Sequence, residues 1–188
     1  MTRDIRFRII ALQVVMIVVF GFGAGLAYYA GNFTHDQVTS QLAAQQISFP
    51  ADAKSGLPDT LTQYAGQQVL NGEQAHAYAT NFIGLHLAAT GQGHPYSYWS
   101  TQARIEKDPA KKAALTATVD TIFRGTTLQS MLNQAWAFGI VGDIATYAAY
   151  GLAFVTLIVL GALVYELFFA SKPVDEPARK NAFVPTAS

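Results

Sequence analysis

The chain has 188 residues, 51% of them hydrophobic, and its twelve basic and twelve acidic side chains give a formal charge of zero. It contains no cysteine, which excludes disulfides, thiolate metal ligands, c-type haem attachment and a thiol nucleophile. The bases are scattered rather than clustered, which argues against nucleic acid as a partner.

Residues 9–30, IIALQVVMIVVFGFGAGLAYYA, carry no charge, and 22 residues at 1.5 Å each reach roughly 33 Å, enough for a transmembrane helix. A cleaved signal peptide would have an apolar core about half as long and small residues at its cutting site. A cut after Ala30 would instead place Tyr28 there, so the block reads as an uncleaved anchor.

Thr34 and Gln37 then have the spacing of a capping box, which predicts a helix start near residue 35, running to about residue 47. Pro50 and Pro58 predict a loop, because each forces its preceding residue out of helical geometry. Asp59 caps a short helix to about residue 70, and Asn71 and Gly72 interrupt it. On the next helix Ala75, Tyr78, Ala79, Phe82, Ile83 and His86 recur at the spacing of one face. Residues 91–95 read as a loop and residues 96–106 as a shorter aromatic element. Asp108 and Pro109 open a further helix, with the carboxylate as cap and the proline in the first turn. After an interruption at Arg124 and Gly125, its stripe resumes as Leu128, Met131, Leu132, Ala135, Trp136 and Gly139. That segment is expected to lie at the membrane surface before Gly142 and Asp143 turn the chain.

Residues 144–170 form a second apolar block long enough to span, with Glu166 as its one charge. Arg3, Arg6 and Arg8 precede the first block, and Lys172, Arg179 and Lys180 follow the second. Basic clusters beside a span stay cytoplasmic, so both termini are expected inside and the middle outside. The expected fold is an all-α membrane protein of the plasma membrane. Residues 1–8 are cytoplasmic, 9–30 and 144–170 are the transmembrane helices, 31–143 form a helical extracytoplasmic domain, and 171–188 form a disordered cytoplasmic tail.

Three sets of residues stand as candidate sites. Glu73 and His76 have the spacing by which one helix offers two metal ligands, and His86 and His94 could complete a mononuclear set. On a straight helix, however, His76 and His86 stand about 80° apart and roughly 15 Å along the axis, so they share an ion only if the helix breaks. His86, on an apolar face, reads rather as a core histidine bonded to a neighbouring carbonyl or Tyr hydroxyl. Gly21 and Gly25 in the first span form a small-xxx-small pair that permits close helix packing, and Gly151 and Gly161 offer further such points in the second. The aromatic residues Tyr78, Phe82, Tyr96, Tyr98, Trp99 and Trp136 could line a pocket for lipid, quinone or haem, or simply build the core. No hydrolase elbow, phosphate-binding glycine loop or paired di-iron motif is present, and no cofactor is predicted.

The stretches NFTHDQVTSQLAAQQISFPAD, YAGQQVLNGEQAHAYATNFIGLHL and RGTTLQSMLNQAWAFGIVG resemble those of a group of small two-span actinobacterial membrane proteins. The resemblance covers most of the chain. It implies a cell-envelope protein with a helical extracytoplasmic domain, and it carries over no catalytic residue. Together these features point to a non-enzymatic membrane scaffold or accessory subunit, in contact with membrane lipid and assembled as a homo-oligomer or within a larger membrane complex. The alternative is a lipid-, quinone- or haem-binding membrane module.

Overall fold

The structure is a computed structural model that describes residues 3–169, so the expected tail, with Lys172, Arg179 and Lys180, lies outside the described residues. Two long helices dominate it: α1, Arg3–Gln45, and α5, Pro109–Phe168. They occupy the two longest proline-free stretches of the sequence, and Pro109 takes the first helical position of α5, where its missing N–H is harmless. At 43 and 60 residues the helices are about 64 and 90 Å long, two to three times the about 30 Å of a bilayer's hydrocarbon core. Both are long and apolar enough to cross a membrane. Between them come two short 3₁₀ turns, Ala53–Ser55 and Asp59–Tyr64, then α2 (Gly72–Ala77), a π-helical turn (Tyr78–Ile83), α3 (Gly84–Thr90) and α4 (Tyr96–Ile105). The described residues are all-α; Ser48 and Gln68 form only an isolated bridge.

Several boundaries differ from expectation. α1 runs unbroken through residue 34, so there is no capping box: the Thr34 hydroxyl donates to the Ala30 carbonyl at 2.8 Å, as within a helix. α5 likewise continues through Arg124, Gly125, Gly142 and Asp143 without a turn, so residues 128–139 are one section of that helix and not a separate surface segment. The helix expected from an Asp59 cap to about residue 70 is only the 3₁₀ turn Asp59–Tyr64, which follows Pro58 and has no side-chain cap. The starts at Asp108 and after Asn71 fall as the sequence indicates. Asp108 Oδ1 accepts from the Ala110 and Lys111 N–H groups at 2.9 and 3.0 Å. Asn71 Oδ1 accepts from Gln74 N–H at 2.9 Å, and Gln74 Oε1 in return accepts from Leu70 N–H at 2.8 Å. Before α5, the Asp108 and Lys107 backbone N–H groups both bond Glu106 and hold its carboxyl below the usual carboxylate range.

The described residues form two compact units, one made of those up to Gly23 and those after Tyr150, the other of Ala24–Tyr150. In the first, Arg6 joins α1 to α5: its Nε donates to Glu166 Oε1 at 3.1 Å and its Nη2 to the Glu166 carbonyl at 2.6 Å. In α1, Gln13 Oε1 is buried with no hydrogen-bond donor among the described residues. An unsatisfied buried acceptor costs about 1–3 kcal/mol, so Gln13→Leu is expected to raise stability by about 1 kcal/mol, read as a later thermal unfolding midpoint in detergent.

The second unit contains the core. Val38 and Leu42 of α1, Leu132 of α5, and Ala75, Ala79 and Ile83 of the intervening helices close around Phe49, Leu57, Leu61 and Val69. The segments around residues 48 and 68 pair side by side through Phe49 N–H to the Gln67 carbonyl at 2.8 Å and Val69 N–H to the Ile47 carbonyl at 2.9 Å. That pairing satisfies the backbone of chain lacking regular structure while it buries Phe49 and Val69. Phe49 stacks on Tyr64 and meets Tyr78 edge-on, with ring centres 5.0 and 5.1 Å apart.

Candidate functional site

The residues proposed for metal binding have separate local roles. His76 Nδ1 donates to Asn133 Oδ1 at 2.9 Å, and its ring stacks on Trp136 at 4.1 Å, which fastens α2 to α5. His86 Nδ1 donates to the Phe82 carbonyl at 2.8 Å, the backbone bond expected for it, but the residue is exposed and not part of the core. The π-helical turn just before it displaces residues that follow from the face a regular helix would give them. His94 stacks on Tyr98 at 4.0 Å. Among the described residues no three His, Asp or Glu side chains converge to hold a metal ion.

The aromatic set also divides. Tyr78 and Phe82 pack against the core, and burial pushes the Tyr78 hydroxyl above its ordinary pKa. Tyr98 and Trp99 form a cluster with His94, and Trp99 Nε1 donates to the Gly91 carbonyl at 3.0 Å. Tyr96 leans on Phe123. Trp136 stands apart from these, on His76 and at the edge of a cavity of about 470 Å³ that it lines with His35, Glu73 and Asp143. There His35 Nε2 lies 3.2 Å from Asp143 Oδ1.

The glycines separate into two groups by their surroundings. A Cβ on Gly21 would reach Thr156 Cγ2 at an ordinary 3.8 Å, while one on Gly25, Gly151 or Gly161 would meet nothing within 4 Å. The close approach of α1 to α5 in the second unit occurs instead at Gly31 and Gly142. A Cβ on Gly31 would collide with the Thr146 hydroxyl and stand 3.0 Å from the Gly142 carbonyl; one on Gly142 would stand 3.0 Å from the His35 ring. Gly72 makes a similar approach, 3.1 Å from the Trp136 Cα.

A second cavity, of about 560 Å³, lies between the later half of α1 and the middle of α5. It runs from Phe33 and Phe138 to Gln45 and Leu128, with Val38, Leu42 and Leu132 on its walls. Gln37, Gln41 and Gln45 recur on successive turns of α1 beside it, a repeat visible in the sequence although nothing there shows what those amides face. None of the lining residues is charged. No family model matches the chain, and no curated protein or solved structure is similar enough to be recognised as a relative.

Proposed function

We propose that this is an integral membrane scaffold or accessory subunit of the cell envelope that crosses the bilayer twice, exposes residues 31–143 outside the cytoplasm and associates through its spans with a second copy or a larger complex. The observation that carries this reading is the open space around Gly25, Gly151 and Gly161 in helices whose most apolar stretches have none of their residues buried inside the protein. Without a hydrophobic drive between helices in lipid, association depends on backbones packing closely, and small residues facing outward permit that. The bases Arg6 and Arg8 ahead of the first apolar block support the orientation, since basic flanks remain cytoplasmic. Such a protein needs no catalytic centre, and its surfaces act by holding partners together.

Crosslinking in native membranes tests this. Wild-type protein is expected to yield a discrete dimer or a stoichiometric hetero-complex. Gly25→Leu combined with Gly151→Leu is expected to weaken association about tenfold, a loss of about 1.4 kcal/mol, with helix content unchanged by circular dichroism. A wild-type protein that stays monomeric at every crosslinker concentration, and brings down no partner, would overturn the reading.

A further inference from the structure

We propose that the groove between α1 and α5 holds one hydrocarbon chain of a membrane lipid, an inference that rests on the reading of these helices as membrane-spanning. Three properties of the groove select this occupant. The first is position: Phe33 lies three residues beyond the end of the apolar block at residue 30 on the same helix, and Phe138 six residues before the second block begins at residue 144. The groove therefore opens where α1 and α5 leave their apolar stretches, within reach of a chain rising from the adjacent leaflet.

The second property is size. From Phe33 to Gln45 the groove follows α1 for twelve residues, about 18 Å, close to the roughly 15 Å occupied by the chains of one leaflet. Spread over that length, 560 Å³ gives a mean cross-section of about 31 Å². A single methylene chain fits, because carbon atoms pack against their neighbours at about 4 Å.

The third property is chemistry. Val38, Leu42, Leu132 and the two phenylalanines supply apolar walls, and the uncharged amides of Gln37, Gln41, Gln45 and Gln134 supply hydrogen-bonding groups along it. This arrangement suits a hydrocarbon chain with neutral ester groups and offers no counter-ion to a charged headgroup. Gln41 on α1 and Met131 on α5 both line the groove and are exposed, so each wall offers a position from which it can be filled.

The test uses full-length protein in phosphatidylglycerol and phosphatidylethanolamine vesicles that contain a phospholipid with a diazirine halfway along one chain. After illumination, adducts are mapped by mass spectrometry of peptides. The expected result is labelling within residues 33–45 and 128–138 in addition to the two apolar blocks. Gln41→Trp and Met131→Trp, which fill the groove from its two walls at exposed positions, are each expected to lower the groove adducts about fivefold. Ser40→Trp, equally exposed on α1 but outside the groove, is expected to leave them unchanged. Adducts confined to the apolar blocks would overturn the groove site while leaving the membrane reading in place. Groove adducts that persist in both filling variants, or fall equally with Ser40→Trp, would overturn it as well. Absence of adducts from the apolar blocks, with the protein recovered apart from the vesicles, would overturn the membrane reading and the lipid site together.

Discussion

Gly31→Leu is expected to lower the thermal midpoint of the detergent-solubilised protein by roughly 6–12 °C, the equivalent of about 3 kcal/mol for a chain of this length. Gly31 is buried at the point where α1 passes α5. A Cβ there would collide with the Thr146 hydroxyl and come within 3.0 Å of the Gly142 carbonyl and 3.2 Å of the Thr146 N–H. The hydroxyl is not free to swing aside without loss, because it donates to that same Gly142 carbonyl at 2.9 Å. The other two contacts are backbone in the middle of a 60-residue helix, which yields only if the helices separate. Separation loosens the Val38, Leu42 and Leu132 contacts farther along, so the cost falls at the upper end of the usual range for overpacking. Gly25→Leu is the control. With nothing within 4 Å of its Cβ, it adds no collision and is expected to change the midpoint little, whatever it does to association between chains.

That contrast explains why the sequence yields some features and conceals others. The two apolar blocks and the all-α class follow from composition and period, which need no knowledge of neighbours. Asp108 is legible as a cap because its partners lie two or three residues away. Glycine is ambiguous: within a helix it costs about 1 kcal/mol relative to alanine, so Gly125 and Gly142 read as interruptions. In the structure both are contact points, where a Cβ on Gly125 would stand 2.6 Å from Leu87 Cδ2 and one on Gly142 would strike the His35 ring. Residues distant in sequence offset the local penalty, and no local pattern records them. The same limit applies to the sites. His76 was legible as a helix residue, but its partners Asn133 and Trp136 are 57 and 60 positions away along the chain, and the groove depends on which stretch of α5 faces Gln37 and Gln41.

Leu132→Ala is the other substitution with a large expected effect, a loss of about 2–5 kcal/mol from a cavity left in the core. Leu132 is 2% exposed and is the residue by which α5 enters the cluster formed by Val38, Leu42, Phe49 and Leu61. Its neighbours come from α1 and from the paired segments after it, which are held by different backbones and cannot close together over a missing isobutyl group. At roughly 2–4 °C per kcal/mol, a loss in this range is readily measured by thermal unfolding. The adjacent Met131, 62% exposed, supplies the comparison: Met131→Ala is expected to change stability by no more than about 0.5 kcal/mol. Leu132 also forms part of the groove wall, so its truncation opens the core toward the site proposed for a lipid chain. A ligand that binds only the folded protein stabilises it by mass action, and the enlarged apolar space gives a chain more surface to cover. Added phospholipid is therefore expected to recover part of the midpoint lost in Leu132→Ala, and to recover less when Gln41→Trp fills the groove in the same chain.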